Sequence, residues 1–133
     1  GGFDENFFLY FEETDYCYRS NKNKFKIYQV NSQKVYHDIG TSVETTSEED
    51  VNKLKNLYAW HFIWSKFYYF KKHYSIYFAL IYFLPIFIRI LFRMFIYITY
   101  NRNKFNRYYY RFHGLVNAIF GKNAHMRLNK ILN

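Results

Sequence analysis

The chain has 133 residues, enough for one domain with a modest core, and its single cysteine, Cys17, excludes an internal disulfide and suits a reducing compartment. Its net charge of +9 is unevenly divided: residues 1–50 hold all ten Asp and Glu against five Lys and Arg, giving −5, while residues 51–133 hold fourteen Lys and Arg and no acid, giving +14. So long a basic stretch without a counter-charge calls for an anionic partner.

In chain order, Phe7-Phe8-Leu9-Tyr10-Phe11 reads as a buried extended segment, because bulky aromatics fit a pleated, covered surface. Glu12, Glu13 and Asp15 follow as the first turn of a helix, where exposed N–H groups and the dipole favour negative charge. Asp15 and Arg19 stand at i and i+4 in the favourable acid-before-base order, and the helix fades over Asn21 to Asn23. Cys17 within it reads as a small buried apolar residue rather than a nucleophile. Phe25 to Val30 is a short strand, Lys34 to His37 a second extended piece after an Asn31-Ser32 turn, and Asp38 to Ser42 a loop. Residues 43–52 are polar without an apolar period and divide the chain into 1–46 and 47–133. Ser47 is placed to cap the next helix, with Asp50 replacing the usual Glu three residues on.

Lys53 to Lys72 reads as that helix, since Leu54, Leu57, Tyr58, Trp60, His61, Trp64, Phe67 and Tyr68 recur near a 3–4 spacing. The apolar block Tyr74 to Tyr100 follows, interrupted mainly by Ser75 and Pro85. About 20 helical residues span a bilayer core. The uncharged run between Lys72 and Arg89 is shorter, and an arginine at the bilayer centre costs about 2.5–3.5 kcal/mol. Arg89 and Arg93 share one helix face, with Phe87, Leu91, Met94 and Phe95 away from it, and Pro85 predicts a kink just before them. Basic residues flank the block on both sides. A hairpin dipping into one leaflet, or a helix lying in the interface, keeps both flanks cytoplasmic; a single span keeps only one. Tyr108 to Asn133 reads as a basic amphipathic segment broken at Gly114 and Gly121. The sixteen Tyr and sixteen Phe fit an A/T-rich coding bias and are not taken as a functional signal.

Gly1-Gly2-Phe3-Asp4-Glu5, then Phe7-Phe8-Leu9-Tyr10-Phe11-Glu12-Glu13-Thr14-Asp15, then Lys26-Ile27-Tyr28 and Lys34-Val35-Tyr36-His37 through Gly40-Thr41-Ser42 resemble the second half of a family 2 glycosyltransferase, closest in pattern to bacterial rhamnosyltransferase-like enzymes. The resemblance covers the first third of the chain. Glu12-Glu13 stands where that family usually has Glu-Asp, and Lys24 where it usually has Gly. The resemblance implies an α/β fold: the C-terminal portion of a GT-A (Rossmann-like) domain over 1–46, followed by a helical, membrane-associated region over 47–133. It also implies that the chain is a piece of a larger enzyme, inactive without a nucleotide-binding half.

The implied reaction is inverting transfer of a sugar from a nucleotide-sugar donor to a glycan or lipid-linked acceptor at the cytoplasmic face of the cell membrane. By its place in the motif Glu13 is the general base, with Glu12 placing the loop and Asp15 pairing with Arg19 or accepting an acceptor hydroxyl. Arg19, Lys66 and Lys71 are the substrate-binding candidates, the lysines toward a lipid-linked pyrophosphate or, more plainly, toward anionic headgroups. The resemblance makes His37 a metal or diphosphate contact in the intact enzyme, where Mg²⁺ or Mn²⁺ is implied; without an Asp-x-Asp, the piece alone is expected to hold no metal. Two other classes compete. In a non-enzymatic membrane anchor the acids at 12–15 only charge a helix start. A nucleic-acid binder using aromatic stacking is disfavoured by the apolar block, so no nucleic-acid partner is expected.

Overall fold

The structure, a computed structural model, describes residues 2–34, 36 and 47–127. Its elements are four helices: α1 (Glu12–Lys22), α2 (Glu48–His73), α3 (Ile76–Tyr100) and α4 (Arg102–Ile119). Three of the four begin with a polar side chain that takes up a free N–H of the first turn. Ser47 Oγ accepts from the Asp50 N–H at 3.1 Å, Ser75 Oγ from the Phe78 N–H at 3.1 Å, and Asn101 Oδ1 from the Lys104 N–H at 2.9 Å. The exception is α1, whose first turn follows Phe11 with no side-chain cap.

The core is organised on α2. Trp60, Trp64 and Phe67, spaced to fall on one face, are buried with Ala79, Phe83 and Ile90 of α3 and Leu115 and Ala118 of α4. The opposite side of α2 is covered by residues 2–22, so the helix is aromatic all round rather than along one stripe. Its polar atoms are used to bind both ends of the described chain. Ser65 Oγ donates to the Leu9 carbonyl (2.7 Å), Trp64 Nε1 to the Lys122 carbonyl (2.9 Å) and His61 Nε2 to the Met126 carbonyl (2.9 Å). Trp60 Nε1 donates to His113 Nδ1 on α4 at 2.9 Å.

Gly114 does not break α4. The helix runs through it, and a Cβ there would lie 2.7 Å from the Trp60 carbonyl oxygen and 2.9 Å from Ile63 Cγ2, so glycine lets α2 and α4 approach this closely. Gly121, with φ +69°, takes the left-handed conformation just past the end of α4. The third helix continues through Pro85 as a single element. Its outward stripe (Tyr77, Ile81, Leu84, Ile88, Phe92, Phe95) is apolar, uncharged and exposed, while Ala79, Phe83 and Ile90 face the core.

The expected α/β fold, the end of a GT-A Rossmann-like domain over 1–46, is overturned: among the described residues every element is a helix and no strand forms. The physical reason differs between the two expected extended segments that are fully described; the third, Lys34 to His37, lies partly outside the described residues and the loop Asp38 to Ser42 wholly so. Phe7 to Phe11 is not extended, because Tyr10 (φ 66°) and Phe11 (φ 69°) turn the chain sharply and the rings pack on α2 instead of within a sheet. Among the described residues Phe25 to Val30 has no neighbouring strand to share a ladder with, and Phe25, Ile27, Tyr28 and Val30 are all exposed. Cys17, expected to be buried, is exposed.

Candidate functional site

The first turn of α1 is positioned by the aromatic segment before it. Phe7 is buried edge-on to Tyr68 (centroids 5.0 Å apart), and Phe8 lies between the His61 ring (4.9 Å) and the Arg127 guanidinium (3.7 Å). Tyr10 and Phe11 flank Phe62 at 5.6 and 5.9 Å. Two successive left-handed aromatics cost roughly 1–2 kcal/mol each, and the packing on α2 holds them there. They deliver the chain straight into Glu12 and Glu13.

The three acids of that turn meet different fates. Asp15 has no exposed surface and three cationic neighbours: Arg19 Nε at 2.8 Å, Lys72 Nζ at 2.6 Å and His73 Nε2 at 2.7 Å. Burial pushes its carboxyl up, but the hydrogen bonds from Lys72, Arg19 and His73 outweigh this and hold it below the usual carboxylate value. Lys72 also reaches Asp4 at 2.7 Å; burial raises Asp4 too, yet its bonds from Lys72 and Asn6 bring it down to about 2. Asp15 is thus a structural anchor of α1 on α2. Glu13, by contrast, is exposed, with no side-chain partner among the described residues. Glu12 is half-buried, and its Oε2 is buried without a hydrogen-bond partner.

The basic candidates are dispersed. Arg19 is held by Asp15 and donates through Nη2 to the Gly2 carbonyl at 2.7 Å. Lys66 points to α3, its Nζ 3.3 Å from the Tyr82 hydroxyl and 5.1 Å above that ring. Lys71 lies near Gly121, beyond the end of α4. His37 lies outside the described residues. Among the described residues no three His, Cys, Asp or Glu side chains converge as metal ligands, and neither Asp4 nor the acids of the first turn of α1 fit a divalent ion: Asp4 and Asp15 are already matched by cations, and Glu12 and Glu13 have no third ligand beside them.

Two clefts that sequence reasoning missed run beside this turn. The first, about 340 Å³, is lined by Tyr10, Lys55, Tyr58, Phe62, Arg107 and Arg111. Burial, with Tyr58 and the Glu12 carboxylate nearby, raises the Tyr10 phenol. The second, about 260 Å³, shares Phe62 and Arg111 and adds Lys66, Arg89, Ile90 and Tyr108. The signal for them in the sequence is the acid-free second half, but which of its cations meet depends on how three helices pack.

Together these features define a helical protein with an acidic turn mounted on α2, a basic cleft beside it and, among the described residues, one helix long and apolar enough to cross a membrane. No protein-family model matches the chain, and no curated protein or solved structure is significantly similar to it.

Proposed function

We propose that this chain is the acceptor-side part of a membrane-bound glycosyltransferase that transfers a sugar, with inversion, from a nucleotide-sugar donor to a glycan or lipid-linked acceptor. The observation that carries this reading is the strained Tyr10-Phe11 turn, clamped on α2, that presents Glu12 and Glu13 while leaving Glu13 open. Strain of this kind persists where packing over-determines it, and it concentrates at functional sites. In the proposed step the Glu13 carboxylate takes the proton of the acceptor hydroxyl. The hydroxyl oxygen bonds to the anomeric carbon as the bond from that carbon to the diphosphate breaks, and the nucleoside diphosphate leaves. Glu12 shapes the turn, and Asp15 with Arg19 fixes it. On this reading the donor and its divalent cation are held outside the described residues, where His37 also lies.

On the same reading the protein lies at a membrane surface, and α3 supports this. Only 17 % of its most apolar window is buried, unlike the core helix of a water-soluble domain. Arg89 lies midway along it, with Lys66 and Arg111 opposite, so a transverse α3 would draw these cations into the hydrocarbon. Lying flat, it inserts the stripe from Tyr77 to Phe95 and leaves the cations at headgroup depth. This favours the monotopic arrangement, and the basic residues on both flanks of α3 favour the cytoplasmic face.

The test is sugar transfer by membranes carrying the full-length enzyme, supplied with a panel of labelled nucleotide-diphosphate sugars. Label is expected in the lipid- or glycan-linked fraction, with Glu13→Gln lowering the rate about 10²–10⁴-fold while the protein stays membrane-bound. Full turnover by E13Q rejects the base, and no transfer by the unaltered enzyme rejects the enzymatic reading in favour of a membrane anchor.

A further inference from the structure

Lys66, Arg89 and Arg111 come from three different helices and line one cleft of about 260 Å³. Among the described residues no carboxylate pairs with any of them; the ion pairs seen there use Asp4, Asp15 and Glu49 with other cations. The adjoining cleft adds Lys55 and Arg107, whose Nε is buried without a hydrogen-bond partner. Five cations without a paired carboxylate, of which Lys55 and Arg89 are exposed, give the two clefts a positive field that favours an anion between them. Guanidinium groups set against the aromatic and aliphatic walls formed by Phe62, Ile90 and Tyr108, with Arg111 5.3 Å above the Tyr108 ring, suit a phosphate with an apolar substituent. The second cleft is formed in part by α3, whose remaining surface is the exposed apolar stripe.

We propose that the cleft between α2, α3 and α4 binds an anionic phosphate carried on a membrane-embedded apolar chain, with Arg89 and Arg111 gripping its oxygens and Lys66 as a third contact. This rests on the interfacial placement of α3 but not on the glycosyltransferase chemistry. The phosphate is that of a bulk anionic phospholipid or of a lipid-linked diphosphate, and both present the same oxygens to the cleft.

The experiment is flotation of the full-length protein with three kinds of vesicle: phosphatidylcholine alone, with added phosphatidylglycerol, or with an added long-chain prenyl diphosphate. Arg89→Gln/Arg111→Gln is compared with Arg102→Gln/Lys104→Gln, which removes two exposed cations at the start of α4. The cleft variant is expected to lose affinity about a hundredfold for at least one anionic vesicle, and the control no more than about tenfold. Selective loss toward the prenyl diphosphate assigns the site to a lipid-linked substrate, and loss toward both assigns it to headgroups in general. Equal losses in the two variants overturn the site while leaving membrane binding intact, and failure of the unaltered protein to bind any vesicle overturns the placement as well. Should circular dichroism show the glutamine pair to be unfolded, Arg89→Lys/Arg111→Lys carries the test. It keeps both charges but not the planar fork, so a drop beyond the control's supports the site and no drop overturns it.

Discussion

A carboxylate with no exposed surface must be compensated by its neighbours, and Asp15 has Arg19, Lys72 and His73 within 2.8 Å. Replacing it with Asn keeps the size and removes the charge, leaving Lys72 and Arg19 partly uncompensated at a buried junction. The expected cost is about 3–5 kcal/mol, spent on the attachment of α1 rather than on the α2–α4 core. Limited proteolysis checks this: Asp15→Asn should be cut within α1 while its overall helical signal stays close to the original. The pairing with Arg19 was legible from the i, i+4 spacing. The links to Lys72 and His73, more than fifty residues away, were not, because no local pattern encodes a tertiary ion pair.

Among the elements, α2 and α4 meet at their closest where Gly114 faces the Trp60 backbone. Alanine there favours an isolated helix by about 1 kcal/mol. Its methyl, however, would meet a carbonyl oxygen, a backbone atom that cannot swing aside. Gly114→Ala is therefore expected to destabilise the protein by about 1–3 kcal/mol in denaturant titration of the Trp60 and Trp64 fluorescence. A stability equal to or above the original would contradict the close approach. The same glycine shows why sequence reading misplaced a break in α4: a glycine that admits a neighbour and one that ends a helix look alike until the neighbour is known. Helices α1 and α2 were legible from charge placement, apolar spacing and the Ser47 cap. The strands were not, since a five-residue aromatic run carries no period that separates a sheet from a packed loop. The basic cleft, drawing on three helices, had no signature beyond the missing acids.

Acid acts on the whole molecule in two stages. His61 has no exposed surface; burial holds it at about 4 against an ordinary 6.5, despite its bond to the Met126 carbonyl. A histidine with a depressed folded value favours the fold above the unfolded value and weakens it as protons bind the unfolded chain first. Stability should thus decline between pH 6.5 and 4 by about 3 kcal/mol. Asp4 and Asp15 have depressed values as well, so their contribution is present above 3.8 and is lost only in stronger acid. His61→Gln, which keeps a donor for Met126 and does not titrate, should shrink the first stage to the share of His113, which burial also holds low, and leave the second. Thermal melts in mild detergent from pH 7.5 to 3 would show this, and an unchanged profile would contradict the assignment.

The ring of Phe8, held between His61 and Arg127, joins positions that leave the ribosome more than a hundred residues apart. Until Arg127 has emerged, this seat on α2 is only half built, although α2 itself is long complete. During synthesis Phe8 therefore waits with one face uncovered while the apolar stripe of α3 is already made. A nascent chain with that profile carries apolar surface that a chaperone or a lipid surface can cover.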